Sequence, residues 1–163
     1  MRLWRRRAYG LAAAFALAAG QGAQAQQADR LVVYKAARVL EVWGQGRLLR
    51  RITGLQLGPQ PVGAKHFAGD GRTPEGHYTI DFGKADSAYD FALHISYPAP
   101  VDVAYAAAQA RAPGGAVFVH GQPNGQRGRV PGDWTAGCIA LANAEIEALW
   151  QQVGDGTPID IYP

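Results

Sequence analysis

The chain has 163 residues, and its 16 Lys and Arg against 13 Asp and Glu give a formal net charge of +3. Four of the arginines and none of the acids lie within residues 1–25, so residues 26–163 carry 12 basic against 13 acidic side chains and a net charge of −1. A near-neutral chain lacks the basic surface on which nucleic-acid binding depends, and its length is typical of one domain with a single core.

Residues 1–25 have the three parts of a secretory signal peptide. "MRLWRRR" is a cationic start, "AYGLAAAFALAAG" is an apolar stretch, and "AQA" ending at Ala25 is typical of a cleavage site. The alternative is an N-terminal membrane anchor, but the apolar stretch is shorter than the ~20 residues that span a bilayer. We therefore expect export with cleavage after Ala25.

The first half of the exported chain is predicted to form strands. In "RLVVYKAARVLEVWGQGRLLRRITGLQL" (30–57), β-branched and aromatic residues alternate with polar ones around a "GQG" turn, which predicts an antiparallel meander. The segment 58–76 is rich in Gly and Pro and is predicted to be a long loop. It runs into the strand "HYTIDFG", and "YDFALHISYP" predicts another strand that stops at Pro98.

The second half is predicted to hold two helices. Asp102 is expected to cap "VAYAAAQAR", and Asn143 is expected to cap "AEIEALWQQV", which carries Glu145 and Glu147 in its first turn. "AVFVHG" predicts a buried strand that ends at His120, and "TPIDIYP" predicts a last strand. The fold class is therefore one mainly β domain with two short helices.

Cys138 is the only cysteine, so an internal disulfide is excluded. In an exported protein a lone thiol favours an intermolecular partner or a reactive group, whereas the alternative is an inert cysteine packed as a small hydrophobe. A nucleophilic thiol needs a base, and His120 is the best placed imidazole because it ends a hydrophobic strand directly before Gly121. The residues alone leave both alternatives open.

Several blocks of the chain resemble a known family. "VHG", a loop and then "DWTAGCIALAN" resemble the signature of the L,D-transpeptidase (YkuD-type) catalytic domain. "GDGRTPEGHY", "ALHISYP" and "PGG" resemble blocks of its Gram-negative periplasmic branch, and the order matches from about Leu31 to Tyr162. The resemblance implies one L,D-transpeptidase-like β-sandwich or barrel domain over residues 26–163, located in the periplasm.

The resemblance also implies roles for single residues. Cys138 resembles the family nucleophile and His120 its general base, with a main-chain carbonyl of Gly121 orienting the imidazole. Gly137 and the Cys138 amide fall where the oxyanion hole would be. Thr135 matches the Ser/Thr position of the family, and its hydroxyl is also suited to fixing the turn through bonds to the backbone.

Three positions depart from the family pattern. Many members carry a His before the Gly-Cys pair, an Arg directly after the Cys and an Asn three residues beyond it, where this chain has Ala136, Ile139 and Leu141. The nucleophile and base are retained, and the departures bear on the contacts with the acceptor substrate.

Other side chains are candidates for substrate binding, each with a structural alternative. His94 and Tyr97 lie in one strand and either face the substrate cleft or pack structurally. Arg72 is suited to bind a peptide carboxylate bidentately, or it belongs only to a turn. Arg127 and Arg129 either attract stem-peptide carboxylates and favour the Cys138 thiolate, or are solvated.

Trp134 is expected to act as a lid or to anchor its loop in the core, and His66 and His77 are expected on the surface. No HxxxH or CxxC spacing occurs, so neither a metal nor another cofactor is expected.

The sequence thus predicts a periplasmic cysteine acyl transferase that acts on peptidoglycan stem peptides through a thioester at the diaminopimelate carbonyl. One alternative is a hydrolase of the same bonds, either an L,D-carboxypeptidase or an enzyme that releases a wall-attached lipoprotein. The other is a non-catalytic peptidoglycan-binding module. No nucleic-acid partner is expected.

Overall fold

The structure is a computed structural model that describes residues 26–163, so the predicted signal peptide lies outside the described residues. Within this range the chain forms eight strands and two α-helices. The strands are β1 (Arg30–Tyr34), β2 (Val39–Gly44), β3 (Arg47–Thr53), β4 (Gly76–Ser87), β5 (Asp90–Ile95), β6 (Phe118–His120), β7 (Ile139–Ala140) and β8 (Thr157–Tyr162). Helix α1 (Pro100–Ala108) follows β5, and helix α2 (Asn143–Trp150) follows β7. The predicted mainly β class with two short helices is confirmed.

All eight strands belong to one sheet, in the order β3-β2-β1-β8-β4-β5-β6-β7. The predicted antiparallel meander is confirmed in β1 to β3, where Gln45 and Gly46 form a two-residue turn with φ of 53° and 70°. Strand β8 inserts between β1, to which it is parallel, and β4, to which it is antiparallel. Beyond β3, Gln56 bridges Ala140 of β7, so the sheet curls until its two ends meet.

The curled sheet encloses one apolar core. Successive side chains of a strand point to opposite faces, and the inward-facing apolar residues of the strands are buried against the core. A fully buried Leu or Ile contributes about 1.5–3 kcal/mol relative to its exposed state, which makes this set the main source of stability. The described Leu, Ile and Val residues with at most 1% exposure are Leu31, Val33, Leu40, Val42, Leu57, Ile80, Ile95, Val119, Ile139, Leu141, Ile146, Leu149, Ile159 and Ile161.

Helix α1 begins earlier than predicted. Its N-cap is Ala99, Pro100 starts the helix, and Asp102 is the third helical residue rather than the cap. The Asp102 carboxylate accepts a hydrogen bond from the Ala99 N–H at 2.9 Å. The predicted cap was therefore wrong in position, because an acid at the third position can reach back to the same amide.

Helix α2 repeats this arrangement. Its N-cap is Ala142, whose N–H donates to the Glu145 carboxylate at 2.9 Å. Asn143, the predicted cap, is the first helical residue, and its side-chain oxygen accepts the Gln122 N–H at 2.8 Å. Asn143 therefore ties the helix to the chain just after β6.

Two strands differ from the sequence prediction. Strand β4 continues four residues past the predicted end at Gly83, because β5 pairs back along it to the turn at Ser87. Strand β7 was missed, because its two residues pair only with the distant β6 and the bridge at Gln56. Neither helix within residues 26–163 has the length and apolar character that crossing a bilayer demands.

Candidate active site

The pairing of β6 with β7 places Cys138 and His120 on one face of the sheet. Val119 pairs with Ile139, and both are fully buried in the core. Because side chains alternate along a strand, Cys138 and His120 point to the opposite face. There both border a cavity of about 260 Å³. Its other walls are Lys84, Ser87, Ala88, Tyr89, Ala92, Ala116 and Phe118.

The Cys138 sulfur is held by backbone groups of the segment leading into β6. The Phe118 N–H donates to Sγ at 3.4 Å, and the thiol faces the Ala116 carbonyl at 3.7 Å. Burial raises the pKa of the Cys138 thiol above its usual value, and the Phe118 N–H and the Lys65 charge offset this only in part. The sulfur is therefore a thiol at neutral pH, and its activation needs a base.

The His120 imidazole is oriented by a main-chain carbonyl. Its Nδ1 lies 2.7 Å from the Gly121 oxygen, and since a carbonyl only accepts, Nδ1 carries the proton and Nε2 has the free lone pair. Burial lowers the pKa of His120, and the bond to Gly121 opposes this in part. The ring also contacts Tyr89, at 4.7 Å between centroids, and Trp134, at 5.7 Å. A neutral imidazole with a free Nε2 is suited to take a proton.

Gly121 is required by close packing. A Cβ at this position would lie 2.9 Å from the Tyr89 oxygen, the Asp90 Cβ and the Asn143 Oδ1. The Gly121 N–H also donates to the Tyr89 oxygen at 2.9 Å. The carbonyl that orients His120 is thereby fixed by its neighbours.

The turn before Cys138 is organised by Thr135. Its hydroxyl donates to the Cys138 oxygen at 2.8 Å and accepts the Gly137 N–H at 3.2 Å, which confirms the expected bonds to the backbone. Thr135 is 5% exposed, and its hydroxyl serves the turn rather than the cavity. The Gly137 N–H is therefore already bonded. The Cys138 N–H makes no hydrogen bond outside the regular strand pairing of residues 26–163.

Gly137 itself has φ of 129°, which disfavours any residue with a side chain. A Cβ here would lie 2.4 Å from the Arg72 oxygen. The loop at Arg72 thus packs directly on the turn that carries Cys138.

An ion pair that the sequence did not reveal anchors the loop before this turn. The Arg38 guanidinium donates to both Asp133 oxygens, at 2.8 and 2.6 Å, and the Leu57 N–H donates to one of them at 2.9 Å. Trp134 follows, half-buried, with its ring against His120. Its indole N–H is buried without a hydrogen-bond partner among the described residues.

The two candidates from strand "ALHISYP" lie in different places. His94 is on β5, with Nδ1 2.6 Å from an Asp81 oxygen and its ring stacked on Phe82 at 4.5 Å, and it does not line the cavity. Tyr97 is 2% exposed, and its hydroxyl donates to the Pro113 oxygen at 3.0 Å. The expectation that Tyr97 binds substrate is therefore wrong, because its ring belongs to the core.

The three candidate arginines also lie apart from the cavity. Arg129 donates to the Gly54 oxygen and, at 2.7 Å, to the Glu145 carboxylate. Arg127 is exposed on the same loop. Neither borders the cavity of Cys138, whose charge environment includes Lys65 instead.

Arg72 lines a second cavity of about 370 Å³ together with Arg111 and His66. Neither arginine has a carboxylate within ion-pair distance among residues 26–163. Asp70 borders the same cavity, but its oxygens accept from Lys65 and from three backbone amides. His66 is half-buried rather than on the surface, with its ring 4.4 Å from Tyr105, because it forms this wall.

His77 is exposed, as expected, and lies 2.5 Å from an Asp160 oxygen. In the part of the chain that the structure describes, no three side chains of His, Cys, Asp or Glu are grouped as metal ligands.

Lys65 is a further residue of the site that the sequence did not reveal. It is 4% exposed and lies beneath the turn of Gly137 and Cys138. A lysine within a Gly-rich loop, followed five residues later by an acid, was the only signal in the sequence.

Comparison with known proteins is consistent with this geometry. Residues 28–161 match the family model YkuD, the L,D-transpeptidase catalytic domain. The search of curated proteins gave no significant match.

Among solved structures, the chain is similar to the helical cell shape determining protein Pgp2 from Campylobacter jejuni, with 28% identity and a TM-score of 0.66 over 83% of this chain and 48% of that one. It shares its fold with an L,D-transpeptidase from Xylanimonas cellulosilytica, with 17% identity, a TM-score of 0.56 and coverage of 84% and 61%. Bd1075 from Bdellovibrio bacteriovorus also has this fold, with 22% identity, a TM-score of 0.57 and coverage of 85% and 51%. The chain spans about half to three fifths of the length of these proteins.

Proposed function

The chain belongs to the YkuD family of L,D-transpeptidase catalytic domains, and we propose that it is a cysteine acyl transferase acting on peptidoglycan stem peptides. The observation that carries the proposal is the cavity that Cys138 and His120 share, with the imidazole held as a neutral base. Membership of the family supports peptidoglycan as the substrate, and the positions of Cys138 and His120 support acyl transfer as the reaction.

The first half-reaction forms a thioester. His120 Nε2 takes the proton of the Cys138 thiol as the sulfur attacks the carbonyl carbon of the third stem residue, diaminopimelate. The Cys138 amide donates to the oxyanion that develops on this carbonyl. The bond to the terminal D-amino acid then breaks, and the imidazolium gives its proton to the leaving amine.

The second half-reaction regenerates the enzyme. An acceptor amine attacks the thioester carbonyl and gives its proton to His120, the C–S bond breaks, and the thiolate recovers that proton. The second half-reaction yields a new amide and restores the free thiol, so the two half-reactions together require no cofactor.

The cavity of Arg72 and Arg111 supplies the proposed contact with a stem-peptide carboxylate. Two guanidiniums without an acidic partner in the described chain favour an anion, and guanidinium binds carboxylate bidentately. The Arg72 backbone carbonyl packs on Gly137, although the cavity of its guanidinium shares no lining residue with the cavity of Cys138. Arg127 adds attraction from the exposed loop, whereas Arg129 is already paired with Glu145.

A hydrolase of the same bonds is the second candidate, and the residues around Cys138 favour it. Ile139 and Leu141 are fully buried, and Ala136 presents only a methyl group. These positions therefore place no polar group toward an acceptor amine. A thioester without a held acceptor is open to water, which would yield a free carboxylate on the stem peptide. The leaving amine of the first half-reaction would then be that of the terminal D-amino acid or of a released lipoprotein.

Location follows from the substrate. Peptidoglycan lies outside the cytoplasmic membrane, so the protein acts there, and we place it in the periplasm after cleavage of residues 1–25. The intact mass of the protein recovered from a periplasmic extract tests the cleavage site, and a mass that retains residues 1–25 would contradict it.

The reaction is tested by mass spectrometry of residues 26–163 incubated with tetrapeptide muropeptides, with Cys138→Ala and His120→Gln as variants. We expect an acyl adduct on the wild-type protein and cross-linked dimers among the products, with neither from Cys138→Ala. Tripeptides without dimers would assign the hydrolase. Wall binding by both proteins without adduct or product would refute the enzyme and favour a binding module.

A further inference from the structure

Within residues 26–163, Lys35 and Lys65 are both nearly inaccessible, at 2% and 4% exposure. An ammonium has three N–H donors, and a buried charge is unfavourable unless these are satisfied. Lys35 meets this demand, because its Nζ donates to the Gly63 oxygen at 2.7 Å, the Thr73 oxygen at 3.1 Å and the Glu75 carboxylate at 2.7 Å. Lys35 is therefore a fully satisfied structural lysine.

Lys65 differs in the number of its partners. Its Nζ donates to the Phe67 oxygen at 3.1 Å and to the Asp70 carboxylate at 2.9 Å, and the described residues provide no third acceptor. The Asp70 carboxylate is shared among Lys65 and the backbone N–H groups of residues 66, 67 and 72. The carboxylate that pairs with Lys65 thus also accepts from three backbone amides.

The Lys65 ammonium also lies beside the turn that precedes Cys138. Nζ lies 3.8 Å from the point that a Cβ of Gly137 would occupy, so the absence of a side chain there lets the charge approach the backbone next to Cys138. A buried charge at this distance is poorly screened by solvent, which makes its effect on a neighbouring group larger than that of a surface lysine.

We propose that Lys65 is a positioning residue of the active site, whose buried charge stabilises the thiolate of Cys138 from beneath Gly137. The inference rests on the proposed function for its catalytic meaning. When His120 Nε2 takes the proton from Sγ, the negative charge left on sulfur lies within the field of the Lys65 ammonium.

The other titratable or charged groups that face the sulfur are His120 of β6, Lys84 of β4 and Tyr89 of the turn after β4. Burial raises the pKa of Cys138, and the Lys65 charge is one of the two influences that lower it. Lys84 is exposed, so solvent screens its charge more strongly. Removal of the Lys65 charge should therefore disfavour the thiolate. Removal of Lys35, which is equally buried and is not among the influences on Cys138, should not.

The test is the rate of Cys138 alkylation by iodoacetamide between pH 6 and 11, followed by intact mass in the wild type, Lys65→Met, Lys65→Arg and Lys35→Met. The Lys65 charge is one of the two influences that lower the pKa of Cys138, so Lys65→Met should react several-fold more slowly at pH 8. Its pH profile should move to higher pH, Lys65→Arg should restore most of the rate, and Lys35→Met should keep the wild-type profile. A folded Lys65→Met with the wild-type profile, or an equal shift in Lys35→Met, overturns the inference.

A second variant covers the case in which Lys65→Met does not fold. Asp70→Asn keeps the lysine and removes the negative charge beside it, so it should make Cys138 react faster at pH 8, and an unchanged rate overturns the inference. Alkylation needs no turnover. A shifted profile in a protein that acylates no muropeptide would therefore refute the proposed function alone, and normal turnover with an unshifted profile would refute the role of Lys65 alone.

Discussion

Gly137→Ala should both destabilise the protein and displace Cys138, the proposed nucleophile. The added methyl group would lie 2.4 Å from the Arg72 oxygen and 3.3 Å from the Arg72 carbonyl carbon. These atoms belong to the backbone, so they cannot rotate away as the end of a flexible side chain would. The φ of 129° is in addition a conformation that an alanine rarely adopts.

The magnitude follows from these two sources. Backbone strain at such a φ is about 1–3 kcal/mol, and overpacking by a methyl group adds about 1–3 kcal/mol. We expect a loss of about 4 kcal/mol in the free energy of unfolding. For a domain of this size each kcal/mol corresponds to about 3 °C, so the Tm should fall by about 10 °C.

Thermal unfolding of residues 26–163, followed by circular dichroism, measures this change. Two variants separate the sources: Gly128→Ala has φ of 76° with nothing within 4 Å of the new Cβ, and Gly154→Ala has neither a positive φ nor a close neighbour. Gly154→Ala should leave the Tm within about 2 °C, and Gly128→Ala should lower it by only a few degrees. If Gly137→Ala unfolds at the same temperature as Gly128→Ala, the contact with Arg72 is not the cause and the reasoning fails.

Three further predictions concern the same turn and its surroundings. Thr135→Val removes the hydroxyl that bonds Gly137 and Cys138 and should lower the free energy of unfolding in urea by about 1–3 kcal/mol, whereas Thr135→Ser should retain most of it. Burial raises the pKa of Asp133, but the bonds from Arg38 and Leu57 outweigh this and hold it below 3.8. The Asp133 carboxylate thus stabilises the fold above that pH and loses its effect as the folded form protonates, so Asp133→Asn should be destabilised in urea at pH 7 and differ less from the wild type at pH 3. Because burial raises the pKa of Cys138 above 9.0, its alkylation rate should still be rising from pH 8 to pH 10, and a plateau reached by pH 8 would contradict that direction.

Local pattern was enough to select Cys138 and His120 as candidates, and the structure places both beside one cavity. The strand that ends at His120 and the Gly-Cys pair are each readable within a few residues, and Thr135 bonds to the turn as its hydroxyl suggested. The two helices were also found, although their first residues were not, because an acid at the third position caps a helix from inside it. These features depend on neighbours in the sequence.

Features that depend on distant residues could not be predicted. The ion pair of Arg38 with Asp133 joins residues 95 positions apart. Tyr97 was misassigned because the neighbouring sequence does not distinguish a buried tyrosine, whose hydroxyl donates to a backbone carbonyl, from a tyrosine that lines a cleft. Lys65 was missed for the same reason, since its nearness to Gly137 exists only after the loop has folded against the turn.

In the proposed mechanism, the resting charges of Cys138 and His120 constrain how the thiol would be activated. Burial holds the thiol protonated and the imidazole neutral, so proton transfer would create two charges beside their shared cavity. Each charge has a partner already in place: the Gly121 carbonyl accepts from the imidazolium, and the Phe118 N–H faces the sulfur. The pair of Cys138 thiolate and His120 imidazolium is therefore an accessible state but not the resting one. The thiolate is consumed when the sulfur bonds to the substrate carbonyl. A thiol activated in this way reacts slowly with small alkylating agents at neutral pH and rapidly with a peptide bound against it.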